Sequence, residues 1–154
     1  MLSDEEKQEI QAEIPNYAEK QSVCIDALKI VQKQRGWVSD EAVQDLAEFL
    51  EMSADELDSV ATFYNLIYRQ PVGKHVVMLC NSISCWVMGY EQVYEHLTNR
   101  LGIRFGETSA NNNFTLLPTV CLGICDHAPA MMIDEEIYID LNQARVDETL
   151  AKYR

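Results

Sequence analysis

The chain has 154 residues, with 12 Lys and Arg against 25 Asp and Glu, and a formal net charge of −13. An acidic surface of this kind repels nucleic acid and anionic lipid, so we expect its partners to be proteins. No apolar run approaches the roughly 20 residues of a membrane-spanning helix, and residues 1–15 are acidic where a secretory signal would be basic and then apolar. We therefore expect an intracellular protein, in which five cysteines favour metal binding or catalysis over disulfides.

Helical patterns fill the first half of the chain, and we predict a small bundle of four helices over residues 1–70. A serine followed three residues later by a glutamate marks the first and fourth helices, because such a pair forms a capping box. Gly36 is a C-terminal stop for the second helix. The predicted helices begin at Ser3, at about residue 22, at Ser39 and at Ser53.

Acidic residues are concentrated in this half. Between Gly36 and Tyr68 the chain carries eight acids and neither Lys nor Arg. These acids are Asp40, Glu41, Asp45, Glu48, Glu51, Asp55, Glu56 and Asp58. A solvated helical face is the simpler interpretation, and a docking surface for a basic partner is the alternative.

The hydrophobic period changes after Pro71, Val72 and Gly73, which interrupt the chain. We predict strands over residues 75–79, 114–120, 130–133 and 137–139, and helices over residues 90–101 and 142–152. Pro118 indicates an edge or a bend in the second of these strands. The order β-α-β-β-α suits a thioredoxin-like α/β domain with a small mixed sheet over residues 74–154. The predicted class of the whole chain is α+β.

Two cysteine pairs are the chemical centre of the chain, Cys80 with Cys85 and Cys121 with Cys125. Four thiolates hold iron–sulfur clusters, and this spacing differs from the plant-type ferredoxin and Rieske patterns. A structural zinc site remains open on spacing alone, because zinc is also held by four cysteines in closely spaced pairs. We expect Gly123 to allow a close backbone approach that a Cβ would obstruct.

Three further residues have both a structural and a functional interpretation. Cys24 lies on the apolar face of a predicted helix, so we expect it in the core and not among ligands. His127 follows the last thiol by two residues, and a solvent-facing loop position is the simpler interpretation. Trp86 beside Cys85 either shields a cluster from water or simply packs, and both interpretations stay open.

An aromatic group and an acidic turn are also expected to be structural. For Phe63, Tyr64 and Tyr68 we predict core packing at a helix end in preference to cofactor stacking. The acids of residues 134–136 lie in a predicted hairpin turn, so we expect them to be solvated.

Several motifs together resemble one family. They are Ala27 to Val38, Val60 to Tyr64, Arg69 to Gly73, the two cysteine pairs, Leu117 to Pro129 and Met131 to Asp134. From about residue 22 onward the chain resembles the E subunits of bacterial NADH-quinone oxidoreductase, respiratory complex I, a family that includes the mitochondrial 24 kDa flavoprotein subunit. The resemblance implies a helical region followed by a thioredoxin-like domain. It also implies a [2Fe-2S] cluster held by Cys80, Cys85, Cys121 and Cys125.

The resemblance further implies the partners and the role of the chain. The cluster would exchange single electrons with flavin mononucleotide on the F subunit, which also binds NADH. The G subunit and other peripheral-arm subunits would lie nearby, on the cytoplasmic face of the bacterial inner membrane, with no direct membrane insertion. The chain would act in an oxidoreductase without being catalytic alone, and its six glycines form no Gly-x-Gly nucleotide fingerprint. Related chains of NAD-linked formate dehydrogenases and hydrogenases are the alternative.

Overall fold

The structure is a computed structural model that describes residues 1–153. It divides into two compact units, residues 1–71 and residues 72 onward, which are described separately below. The second predicted domain, residues 74–154, ends one residue outside the described part. Within residues 1–153, no helix is both long and apolar enough to cross a bilayer.

The first unit consists of four α-helices, and two short 3-10 helices, Ile14–Asn16 and Lys20–Val23, lie between the first and the second. The bounds of the α-helices are α1 Asp4–Glu13, α2 Cys24–Arg35, α3 Asp40–Leu50 and α4 Ala54–Phe63. Both predicted capping boxes form, with the Ser3 and Ser53 side chains accepting from the third backbone amide of their helices. Gly36 ends α2 in a left-handed conformation, with φ of +83°. The predicted helical starts are therefore confirmed.

The core of the first unit is made of the inward faces of these helices. Leu28, Leu46, Leu50 and Leu57 are completely buried there. The predicted core packing of Phe63 and Tyr64 is wrong, because they are 80% and 42% exposed, whereas Tyr68 of the same prediction is half-buried.

The geometry of α4 explains why Phe63 faces solvent. Leu57 and Ala61 form the buried side of the helix. Each helical residue advances by about 100°, so Phe63 lies about 200° from Ala61 and faces the opposite way.

The second unit is a five-stranded mixed sheet with helices. Its elements are β1 His75–Cys80, α5 Ile83–Val87, α6 Tyr90–Leu101, β2 Glu107–Thr108, β3 Phe114–Thr119, β4 Met131–Ile133, β5 Glu136–Tyr138 and α7 Gln143–Leu150. The strand order is β2-β3-β1-β4-β5, with β1 and β3 parallel and the other pairs antiparallel. This arrangement confirms the predicted fold class. The sequence patterns did not predict the short elements α5 and β2.

The central strand β1 is buried along most of its length, as expected of a strand with neighbours on both sides. In β3, residue Pro118 lies opposite Leu79 of β1, but β2 pairs only with Thr115 and Leu116. The missing amide of Pro118 therefore leaves no bond unmade on the β2 side. The predicted edge character of this end of the strand is confirmed.

Candidate metal centre

The two cysteine pairs meet because their strands are parallel neighbours. Cys80 is the last residue of β1 and lies opposite Thr119, the last residue of β3. The amide of Asn81 donates to the Thr119 carbonyl at 3.1 Å, and the amide of Cys80 donates to the Ala130 carbonyl at 3.1 Å. Since the carboxyl ends of parallel strands share one sheet edge, Cys121 follows β3 beside Cys80.

The helix α5 brings the second thiol of the first pair back to the first. It is only five residues long, and Cys85 is its buried residue. Cys80 and Cys85 are 2% and 3% exposed, and both line the same cavity. The first pair is therefore shielded from water.

The second pair lies in the loop that follows β3 and is exposed. The Sγ atoms of Cys121 and Cys125 are 3.2 Å apart, and the Gly123 amide donates to the Cys121 sulfur at 3.4 Å. The Ser84 side chain of α5 lies close enough to Cys125 to lower the pKa of its thiol, so it connects the two cysteine segments. Sequence spacing carried no signal for the role of Ser84, because this contact joins distant parts of the chain and depends on the tertiary fold.

Gly123 takes a backbone conformation that favours glycine. Its φ is +83°, a conformation that glycine adopts without the steric penalty of other residues. Its amide donates to the Cys121 sulfur at 3.4 Å, so the backbone lies close to the thiol. A Cβ at this position would meet no protein atom within 4 Å, and the predicted close approach to a bound cluster stays a prediction.

The four thiols line one cavity together with Leu122, Ile124 and Ala130. The empty space, including the open mouth, is about 160 Å³. The lining therefore consists of sulfur and apolar groups, a soft donor set suited to iron–sulfur clusters or zinc.

The environment shifts the pKa values of the thiols in different directions. Burial, followed by contact with Cys80, raises the pKa of Cys85 to about 11, against a lowering hydrogen bond from the Ala130 backbone. The hydrogen bond from the Gly123 amide lowers the pKa of Cys121. Contact with the Cys121 thiol raises the pKa of Cys125, and Ser84 opposes this rise. Binding as thiolates would release protons from the thiols that remain protonated at neutral pH.

The sequence matches the thioredoxin-like [2Fe-2S] ferredoxin family over residues 10–154. The chain belongs to the thioredoxin-like [2Fe-2S] ferredoxin family. Two curated relatives are the E subunits of the NADH-quinone oxidoreductases of Pseudomonas aeruginosa and Escherichia coli (strain K12). Each is 44% identical to this ferredoxin-family chain, over 99% of the chain and 92% of the relative.

A solved structure shows the same fold. It is the crystal structure of an NAD+-reducing [NiFe]-hydrogenase in the air-oxidized state, with a TM-score of 0.69 and 22% sequence identity. The match covers 82% of the present [2Fe-2S] ferredoxin-family chain but only 22% of the hydrogenase chain, and it bears on the fold alone.

The geometry of the thiols fits the [2Fe-2S] cluster that this family implies. A structural zinc site needs four ligands around a single ion, whereas a binuclear cluster divides four thiolates between two irons. The four thiols line one cavity and can supply the donors that either centre needs. The family match favours the cluster.

The other residues considered from the sequence lie outside the cavity lining. Cys24 packs against the core of the first unit, as predicted. His127 is exposed, as predicted, and its ring contacts Asp140 at 3.2 Å. Trp86 is 54% exposed and lies outside the cavity lining, so it does not pack in the core.

The acidic turn is less simple than predicted. Glu135 and Glu136 are exposed, as expected. Asp134 is also hydrogen-bonded, at 2.8 Å to the His75 ring and at 2.9 Å to the Val76 amide, so it joins the hairpin to β1.

An apolar rim beside the cysteines was missed by the sequence reasoning. Ile83, Trp86, Val87 and Met88, on and directly after α5, and Val120, directly before Cys121, are all more than half exposed. The apolar run around Cys85 was the available signal, but a five-residue helix is too short for its periodicity to show which side faces solvent.

Proposed function

We propose that this chain is the electron-transfer subunit of an NADH-quinone oxidoreductase, with Cys80, Cys85, Cys121 and Cys125 as the thiolate ligands of its [2Fe-2S] cluster. The similarity to the E subunits of such enzymes, 44% identity over 99% of the chain, is the observation that carries this proposal. When bound, the cluster supplies one-electron redox chemistry. The cavity lined by the four thiols supports the ligand set.

In this proposal, the residues around the thiols bind the cluster and shield it from water. The buried thiols of Cys80 and Cys85 lie on the side of the cavity closed to water, and Leu122 and Ile124 contribute apolar surface. The Gly123 amide directs a backbone dipole at one sulfur, and such hydrogen bonds set the potential of sulfur-ligated iron.

The partner in electron exchange would be the F subunit, which would bind flavin mononucleotide and NADH. The G subunit and other peripheral-arm subunits would complete the surroundings, at the cytoplasmic face of the bacterial inner membrane. The exposed apolar rim on α5 supports an approach of the F subunit at the cysteine end, because an apolar patch next to a redox centre excludes water when a partner docks. The isolated chain would then have no NADH oxidation of its own.

Anaerobic purification of the full chain tests the cluster. We expect a brown protein with equimolar iron and acid-labile sulfide. A colourless protein with zinc would overturn the proposal. NADH oxidation by the isolated chain, without any partner, would contradict the assigned division of roles.

A chain of a related NAD-linked hydrogenase or formate dehydrogenase is the second candidate. The hydrogenase match supports it by fold only. Subunits that co-purify with the tagged chain separate the two, since quinone reductase activity is expected of the first, and hydrogen or formate oxidation of the second.

A further inference from the structure

The carboxyl end of α4 presents large apolar side chains to solvent, in the unit that does not carry the cysteines. Phe63 is 80% exposed, and Tyr64 and Leu66 are 42% and 43% exposed. The rings of Phe63 and Tyr64 meet edge to face, with their centroids 5.2 Å apart. These three residues are called the aromatic corner. Clustered exposed aromatic side chains are typical of protein interaction sites.

The backbone behind the aromatic corner is held firmly. Gln32 of α2 donates to the Leu66 carbonyl at 2.8 Å and accepts from the Tyr68 amide at 2.6 Å. The intervening Ile67 is buried.

A second clamp follows directly in the chain. Arg69 donates to the Asp58 carboxylate of α4 at 2.9 Å and to the Asp40 carboxylate of α3 at 2.7 Å. It also donates to the Val38 carbonyl. The aromatic side chains are therefore exposed on a rigid support, which reduces the ordering that association requires.

The charge around the aromatic corner identifies the kind of partner. Glu56, Ser59 and Phe63 share one face of α4, at helical spacings of three and four residues. Among residues 1–153, neither Asp55 nor Glu56 forms an ion pair with Lys or Arg, and the Glu56 carboxylate accepts from the Ser53 hydroxyl at 2.7 Å. Glu56 lies about 10 Å from Phe63 along the helix, close to the screening length in physiological salt.

We infer that the aromatic corner is a docking surface for a basic surface of another protein subunit of the oxidoreductase. That surface would offer an apolar recess to Phe63 and place Lys or Arg about 10 Å away, opposite Glu56 and Asp55. A second copy of this chain does not fit, because it would bring a further net charge of −13 against the same acids. The inference rests on the proposed function for the identity of the partner as a subunit of that complex.

The test uses the tagged full chain, purified from its own host with the complex intact. Phe63→Asp places a charge where an apolar recess is expected, and Phe63→Leu keeps an apolar side chain. Ile137→Asp is the matched control, because Ile137 is an exposed apolar residue of β5 in the other unit. The readouts are the amount of each co-purified subunit per chain, by mass spectrometry, and the cluster absorbance per chain.

We expect Phe63→Asp to lower subunit recovery by at least about tenfold, the loss that follows when a buried phenylalanine contact is removed. Phe63→Leu and Ile137→Asp should retain most of the recovery, and all variants should keep the cluster absorbance. Recovery by the wild-type chain should also fall as salt rises from about 0.05 M to about 0.5 M.

A photo-crosslinking residue at position 63 identifies the occupant. A link to a different subunit, at a peptide containing Lys or Arg, is expected. A link to a second copy of this chain, or wild-type recovery by Phe63→Asp, overturns the inference alone. A wild-type chain that carries its cluster but recovers no other subunit would overturn the proposed function as well.

Discussion

Arg35 holds the carboxylate of Glu6 through two parallel hydrogen bonds, from Nε at 2.6 Å and from Nη2 at 2.7 Å. The Glu6 side chain is only 2% exposed. The same carboxylate accepts from the Ser3 amide at 2.7 Å, so the residue that caps α1 also attaches it to α2. A bidentate pair of this geometry is among the stronger ionic contacts in proteins.

We expect Arg35→Met to lower the free energy of unfolding by about 3 kcal/mol, because it leaves a buried carboxylate without its partner. Lys33→Met on the same helix is the control, since Lys33 forms no ion pair among residues 1–153. Denaturant unfolding of both variants measures the difference. Equal stabilities of the two variants would contradict a buried role for the pair.

The stability should also depend on pH through this pair. The hydrogen bond from Arg35 lowers the pKa of Glu6 from its ordinary 4.5, against the opposing effect of burial. The contribution of a carboxylate with a lowered folded pKa is present above the unfolded pKa and is lost as the pH falls through the folded pKa. Unfolding free energies between about pH 7 and about pH 3 should therefore fall less steeply for Glu6→Gln than for the wild type. Parallel curves would refute this assignment.

The proposed ligand set predicts a sharp contrast between cysteines. Serine in place of Cys80, Cys85, Cys121 or Cys125 should remove most of the bound iron and change the visible spectrum, because a thiolate ligand is lost. Cys24→Ser should retain both, since Cys24 packs against the core of the first unit. Iron and sulfide analysis of the five variants measures how much cluster each one holds. Loss of the cluster in Cys24→Ser would contradict the proposed set of four ligands.

Two glycines should respond to alanine for different reasons. Gly123→Ala has space for its Cβ but must adopt φ of +83°, so we expect a penalty of about 1–2 kcal/mol and a lower cluster yield. Gly123→Asn should be less destabilising than Gly123→Ala, because asparagine tolerates a left-handed backbone conformation.

At Gly73 a Cβ would lie 3.0 Å from the Asn112 carbonyl oxygen. The overpacking in Gly73→Ala should cost about 1–3 kcal/mol of stability, with no direct effect on the thiols. Thermal unfolding and absorbance per chain measure both effects.

The reduction potential should lie in the negative part of the iron–sulfur range, which spans roughly −700 to +450 mV. Four thiolates and a net charge of −13 both disfavour an added electron. A redox titration of the anaerobic protein measures the midpoint, and a positive value would contradict the prediction.

Local patterns were sufficient for the helices of the first unit. The capping boxes at Ser3 and Ser53 involve residues three positions apart, so the sequence contains both partners. The sequence also predicted that both cysteine pairs follow strands. Their meeting at one edge depends on the parallel pairing of β1 and β3, which only the tertiary structure shows.

The exposure of individual side chains could not be predicted in the same way. Phe63 follows an apolar stripe, yet it faces solvent, because it points to the opposite side of the helix from Ala61. The helix α5 has too few residues to show a hydrophobic period, so the sequence could not predict that its apolar side chains face solvent. The left-handed conformation of Gly123 was not predicted either, because spacing carries no information on backbone conformation.

The sequence by itself determined the donor chemistry and the starts of the four helices of the first unit, because these depend on residue type and on neighbours within one or two turns. Only the tertiary structure decided that Cys80 and Cys85 are buried while Cys121 and Cys125 are exposed, and that Glu6 meets Arg35 across 29 positions. Burial and long-range pairing depend on which surfaces pack together, and that information is spread over the whole chain. The same packing left Phe63 in solvent, with a surface that another protein can cover.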